Sequence, residues 1–292
     1  SDWGLFEVGR VYGWVPNSYV VSHLCGAVSY ALTMVTPSEV PAGQVFGVSA
    51  TLFVTYRKCP QQALARLQGV YPQPSVASFR GALAHRIIAK HLREGPITDA
   101  DMPLVCRMET GANLNGQLAA IGLKPSGFEA VVSEVGDLYA RFRSHPMAEE
   151  RPVEAEVSFE DEVSSGITLK GRIDAVYGSG VDARIVDWKT GGIHGDDVET
   201  QLGFYAYAWR LRTGEPPAAT EAVSLATGER LASTPTQEEL DAIEQDVGDM
   251  VADLRSAMAS GTELQRTAGP YCRWCPLLDD CTEGGSAVNL LD

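Results

Sequence analysis

Two neighbouring stretches carry residue types suited to metal-assisted chemistry. Gly171-Arg172-Ile173-Asp174-Ala175-Val176 reads as a strand, Gly178-Ser179-Gly180 as a turn, and Ile185-Val186-Asp187-Trp188-Lys189-Thr190-Gly191 as the next strand. Strand alternation puts Asp187 and Lys189 on one face and Trp188 on the other. If the two strands pair, Asp174 lies beside Asp187 at the same end of the sheet. The patch then holds two carboxylates and one ammonium. Two hard oxygen ligands suit Mg²⁺ or Mn²⁺, and an adjacent Lys orients an attacking water or stabilises a developing oxyanion. An ordinary surface ion pair is the plain alternative, because Asp-x-Lys is a common tripeptide.

Further along, Gln201-Leu202-Gly203-Phe204-Tyr205 reads as helix. Gln201 and Tyr205 are four apart and share a face, and the helix follows the Asp-x-Lys strand closely enough to border the same groove. An amide and a phenol there suit hydrogen bonding to a phosphodiester or to catalytic groups.

The third chemical feature is Cys272-Arg273-Trp274-Cys275-Pro276 with Cys281 beyond it, a C-x2-C-x5-C array. Three thiolates on a short loop need a fourth ligand, for which Cys59, Cys106 and Cys25 compete. Four thiolates fit tetrahedral zinc or a [4Fe–4S] cluster, and spacing does not choose between them. In a cytosolic chain such clustering means metal more often than disulfide.

The elements that must position these groups follow from the 292 residues, of which 45% are hydrophobic. That suffices for one large domain with appendages. No apolar run is long enough to span a bilayer and no basic leader precedes one, so a cytoplasmic protein without membrane partners is expected. The net charge of −15 argues against indiscriminate binding to polyanions. Much of the acid is localised: Glu238, Glu239, Asp241, Glu244, Asp246, Asp249 and Asp253 lie on one predicted outer helix.

Residues 1–45 read as a β-rich extension of unknown role, with strands over 19–23 and 27–33. His23 and Cys25 would share a strand face there. A helix begins at Ser49 and is interrupted at Cys59-Pro60. Another spans 78–93, and a third spans 126–143 with Phe128, Val131, Val132, Val135, Leu138 and Phe142 at helical spacing. Structure between 94 and 106 is not legible. Strands follow over 153–159, 167–177 and 183–189. Asp197 is expected to cap a helix ending near Arg212, with Gly214 beyond it. A strand is expected over 222–226, then a capping box at Thr236-Gln237-Glu238-Glu239 opening a helix to about 259. The last thirty or so residues show little regular pattern.

Cys59-Pro60, Gly81-x-x-x-His85, Gly171-Arg172-Ile173-Asp174, Asp187-Trp188-Lys189-Thr190-Gly191, Gln201-x-x-x-Tyr205 and the terminal C-x2-C-x5-C occur in that order. The set resembles the RecB-type nucleases of the PD-(D/E)XK superfamily. It is most similar to the branch with an iron–sulfur cluster, which includes the AddB nuclease domain and the CRISPR-adaptation exonucleases. The resemblance covers about residues 49–285. It implies an α/β, restriction-endonuclease-like core, a mixed sheet flanked by helices, with a C-terminal Cys-cluster segment, so that 46–292 form one nuclease domain. It also implies roles. His85, Asp174, Asp187 and the Trp188 carbonyl hold Mg²⁺ or Mn²⁺, Lys189 is the catalytic lysine, and Gln201 and Tyr205 line the site. Cys59 joins Cys272, Cys275 and Cys281 on a [4Fe–4S] cluster that staples the fold. The substrate implied is DNA, single-stranded or with ends, cut by an exonuclease in repair, recombination or defence. No Walker lysine motif occurs in these residues, so a helicase or other complex subunit is expected as a separate chain. The acidic composition favours a competing expectation, a non-catalytic DNA- or protein-binding platform.

Overall fold

The computed structural model describes residues 3–8, 11–16, 46–164 and 166–290. In chain order these give β1 (Trp3–Val8), β2 (Val11–Pro16), β3 (Phe46–Ser49), α1 (Ala50–Lys58), α2 (Pro60–Leu67), α3 (Val76–Glu94), α4 (Met102–Glu109), α5 (Asn115–Ile121) and α6 (Pro125–Arg143). Then follow β4 (Glu154–Ser164), β5 (Ile167–Tyr177), β6 (Arg184–Lys189), α7 (Gly195–Thr213), β7 (Ala219–Ser224), β8 (Arg230–Ser233), α8 (Gln237–Ser260) and α9 (Thr282–Asn289). The chain divides into two units, Ser1–Thr36 and Pro37–Asp292. In the first, β1 and β2 form an antiparallel hairpin. The expected strands over 19–23 and 27–33, with His23 and Cys25, lie outside the described residues.

The second unit is built on β5. One edge of this strand pairs antiparallel with β4 along most of its length. The other edge is shared: β3 pairs parallel with Ile167 to Lys170, and β6 pairs antiparallel with Ala175 to Tyr177. Between those partners, residues 171–174 have no strand partner on that edge, and Asp174 is the last of them. β7 adds parallel to β6, and β8 closes the edge antiparallel. The result is a mixed six-stranded sheet flanked by helices.

Both faces are covered. Ile185 of β6 packs into a core with α1, α2, α7 and α8, while Val186 and Trp188 enter a second core with α3, α4 and α6. Alternation along β6 therefore turns Asp187 and Lys189 toward the side of Ile185. The fully buried Trp188 ring makes edge contacts with Phe142 and His145.

Local signals explain most element ends. The Ser49 hydroxyl caps α1 by accepting from the Leu52 N–H at 3.2 Å. Pro60 cannot donate a backbone hydrogen bond, so the helix breaks at an extended Cys59 and restarts as α2. Thr236 and Glu239 form the expected capping box of α8. Gly214 ends α7 with φ 85°, left-handed backbone that glycine adopts without steric cost. Asp197 does not cap that helix. The N-cap is His194, and the Asp197 carboxylate, inside the first turn, pairs with Lys58 Nζ at 2.6 Å. Two stretches without a sequence pattern are ordered. Residues 102–121 form α4, a π-turn over Thr110–Leu114 and α5, while the cysteine-rich end carries α9. Gly111 and Gly116 obscure the helical period in the first of these, where Pro103 sits compatibly in the first turn of α4.

One buried histidine makes the second core acid-sensitive. The Ile97 N–H donates to the Tyr139 hydroxyl at 2.7 Å, which donates in turn to His91 Nδ1 at 2.7 Å. His91 Nε2–H then donates to the Ala148 carbonyl at 3.3 Å. Burial holds the His91 pKa below its ordinary value. As pH falls through about 6.5 the unfolded chain protonates first, so stability present above that pH is lost on acidification. Thermal melts at neutral and mildly acidic pH should show a smaller drop for His91→Phe than for the native chain.

Candidate active site

The unpaired edge of β5 is where the chemistry gathers. The Asp174 side chain takes the place of a strand partner there: its Oδ2 accepts from the Trp188 N–H at 2.8 Å. His85 reaches it from α3, with Nδ1 3.2 Å from both carboxylate oxygens. A carboxylate only accepts, so Nδ1 carries the proton. In the neutral ring this leaves the Nε2 lone pair available to a metal, the tautomer that a carboxylate partner fixes in many metal sites. Gly81 lets α3 approach this closely, because a Cβ at that position would lie 3.1 Å from Thr190 Oγ1.

Asp187 faces Asp174 one step beyond the last paired residues of β5 and β6. It is 5% exposed. Its Oδ2 lies 2.7 Å from Lys189 Nζ yet has no aligned hydrogen-bond donor. Lys189 Nζ donates to Gln201 Oε1 at 2.5 Å. The Gln201 amide donates to Asp187 Oδ1 at 3.3 Å and to the Tyr205 hydroxyl at 2.9 Å. Lys189, Gln201 and Asp187 thus form a closed ring, with Tyr205 behind it.

The charges perturb one another strongly. Burial disfavours the His85 imidazolium, but the Asp174 and Asp187 carboxylates outweigh it and raise its pKa. Burial also works against ionised Asp174, yet His85 and the Trp188 N–H hold that carboxyl below its ordinary range. Asp187 goes the other way, raised by burial and then by Asp174, with Lys189 only partly offsetting them. Buried carboxylates at this spacing favour an added cation.

The sequence expectation brought together His85, Asp174, Asp187, Lys189, Gln201 and Tyr205, and in space these six side chains do meet. It missed a neighbouring charge cluster. Glu156 of β4 sits across from Asp174, between the Ala155–Ala175 and Val157–Ile173 pairs. Its backbone has φ 54°, unusual for a non-glycine residue, and its buried Oε1 has no hydrogen-bond partner. Its Oε2 stands 3.6 Å from Arg86 and 3.5 Å from Arg172. Their positions in sequence, Arg86 next to His85 and Arg172 two residues before Asp174, were the available signal.

The cysteines gather at the C-terminal end of α1. Cys59 lies at the break between α1 and α2, Cys272 and Cys275 flank the end of a turn over Pro270–Trp274, and Cys281 caps α9. The Gly269 N–H points to the Cys272 sulfur at 3.4 Å and the Gly284 N–H to the Cys281 sulfur at 3.3 Å. Burial raises the Cys275 thiol pKa, and Cys59, Cys272 and Cys281 add to it. All four are free thiols. Cys106 is not among them: it is buried in the second core against Met102, its thiol pushed up to about 11 by burial.

Among the described residues, no three His, Cys, Asp or Glu side chains stand at ready metal-binding spacing. In the catalytic patch the side chains instead satisfy one another. The donor chemistry nonetheless fits: the buried Asp187 carboxylate, for which Lys189 only partly offsets burial and the nearby Asp174, suits a hard cation, and four neighbouring thiols with amide donors on two sulfurs suit a soft metal or cluster.

A family model for the PD-(D/E)XK nuclease superfamily matches residues 47–282, and the chain belongs to that superfamily. The fold agrees. The crystal structure of a "Putative exonuclease" from Eubacterium rectale aligns with a TM-score of 0.52 at 11% identity, covering 88% of this chain and 94% of that one. A structure described as SSO0001 aligns at 15% identity over 72% of this chain and 98% of the other, with a TM-score of 0.35. Among curated proteins, none matches. No helix among the described residues is long and apolar enough to cross a membrane.

With that site in place, Tyr205→Phe removes one hydroxyl from behind Gln201 and leaves the ring's packing intact. Nuclease turnover should fall about tenfold, the value of one hydrogen bond in a buried network. Steady-state kcat with unchanged thermal stability is the check.

Proposed function

We propose that this chain is a metal-dependent DNA nuclease, acting from ends or on single strands in repair, recombination or defence. One observation carries the reading: six side chains from α3, β5, β6 and α7 meet as two carboxylates, an imidazole, an ammonium, an amide and a phenol. A scaffold has no use for that set.

Asp174, Asp187, His85 and the Trp188 carbonyl are the groups that would hold Mg²⁺ or Mn²⁺. The ion supplies charge neutralisation at the phosphate and a water acidic enough to attack near neutral pH. Lys189 positions the attacking water with its ammonium, and Gln201 fixes Lys189 by accepting one of its hydrogen bonds. Tyr205 fixes Gln201 in turn. Arg86 and Arg172, held loosely by Glu156, present guanidinium groups matched to phosphate oxygens. These two guanidiniums give an otherwise acidic chain local contacts for a polyanion's phosphates.

Cys59, Cys272, Cys275 and Cys281 would hold a [4Fe–4S] cluster, with zinc as the alternative, in a structural role of the AddB type. Exonuclease action and a separate helicase partner rest on the motif resemblance. The acidic surface supports a second reading, a non-catalytic platform subunit. Incubating end-labelled single- and double-stranded DNA with Mg²⁺, Mn²⁺ or EDTA separates the two. Metal-dependent cleavage leaving 5′-phosphates is expected, and no cleavage by folded, cluster-loaded protein would favour the platform.

A further inference from the structure

A groove of about 450 Å³ opens beside the catalytic ring. Lys189 and Gln201 line it, and so do Tyr271 and Trp274 of the cysteine-rich segment, with Lys58 and Asp197 also in its wall. Trp274 is 73% exposed, the highest value among the large aromatic side chains described. The backbone that carries it is hydrogen-bonded. Trp274 ends the tight turn over Pro270–Trp274, between Cys272 and Cys275, and the Cys275 N–H bonds the Cys272 carbonyl at 3.0 Å. The Tyr271 hydroxyl ties the same turn to α1 by donating to the Lys58 carbonyl at 2.8 Å.

The groove is poorly equipped to bind phosphate by charge. Lys58 is neutralised by Asp197 at 2.6 Å and packs over the Tyr271 ring at 4.6 Å. Lys189 is engaged by Asp187 and Gln201. What the groove offers is an exposed indole, carried on a hydrogen-bonded turn, in the same cleft as the catalytic lysine. A base can stack on such a ring only when it is not already stacked and paired in a duplex.

We infer that Trp274 is a nucleobase-stacking platform for the strand being cut, and that through it the cysteine segment selects single-stranded DNA. This rests on the nuclease reading of the adjacent ring, which it extends from chemistry to substrate form. Because stacking rather than ion pairing supplies the contact, the part of the affinity owed to Trp274 depends little on salt.

The test uses the whole chain in EDTA, where a fluorescent oligodeoxythymidylate binds without being cut. Trp274→Ala should weaken binding about tenfold or more, the effect of losing one base–aromatic stack. Trp274→Phe should retain affinity within about threefold, and the ratio of native to Ala affinity should stay nearly constant as salt rises. Strand binding should also quench indole emission in the native chain and much less in Trp274→Phe. Far-UV circular dichroism and thermal melting of each variant check that the fold and the cysteine segment are intact. Equal affinity of native and Trp274→Ala chains, or no strand binding by the native chain, overturns the inference. Hydrolysis of bis(p-nitrophenyl) phosphate, which has no base to stack, tests the nuclease reading separately. If the native chain cleaves that diester while Trp274→Ala binds the strand normally, only the platform fails. If it cleaves nothing but Trp274→Ala still loses the strand, hydrolysis fails and the platform stands.

Discussion

Replacing Asp187 by Asn is expected to lower DNA cleavage about a thousandfold while leaving the protein folded. The amide keeps the shape of the side chain but removes the charge. In the native site that charge lies 2.7 Å from Lys189 and near Asp174, and its Oδ2 lacks an aligned donor. The Asn variant therefore loses a cation ligand and releases Lys189 to Gln201 alone. Stability should hold or rise, because the Asp187 carboxyl sits in a setting that already disfavours its charge. A substitution that destroys activity without lowering the melting temperature marks a site that keeps a costly charge for function. The checks are cleavage rate and thermal melting on the same preparations. A parallel loss of both would mean the carboxylate is a structural ion-pair partner.

The second large effect is on stability. Cys59 and Cys272 are separated by most of the folded unit, and several polar ties cross their junction. Tyr271 bonds the Lys58 carbonyl, the Gln61 N–H donates to the Gln265 carbonyl at 3.2 Å, and the Leu264 N–H donates to Gln61 Oε1 at 2.7 Å. A cofactor joining the four cysteines would close a loop of roughly two hundred residues, for which the chain-entropy argument gives about 5 kcal/mol. Cys275→Ala should thus lower the melting temperature by on the order of 10 °C and bleach any visible absorption near 400 nm, at roughly 2–4 °C per kcal/mol for a domain of this size. An unchanged melting temperature in folded protein would remove the staple.

Both effects concern residues that stood out as motifs, and the reason is physical. Asp187 and Lys189 share a strand face and Gln201 and Tyr205 a helix face, so local periodicity places each pair correctly without knowledge of the fold. The strand unit from β4 to β6 was legible because alternation and Gly/Ser turns mark it. Glu156 was not, since its role depends on a positive φ and on register against Asp174, neither of which local sequence encodes. The cap of α7 was misplaced for a related reason. Asp197 is a good capping residue by type, but Lys58, more than a hundred residues away, claims its carboxylate. Helices α4 and α5 were hidden by Gly111 and Gly116, whose local preferences are overridden by packing of Met102, Cys106, Leu118 and Ile121 against the second core.

The most direct test of the central claim compares native protein with Lys189→Ala on end-labelled single-stranded DNA, in Mg²⁺, in Mn²⁺ and in EDTA. The account predicts cleavage by the native chain with either metal, none in EDTA, and loss of about a hundredfold or more in the variant. Cleavage that persists undiminished in Lys189→Ala would contradict it.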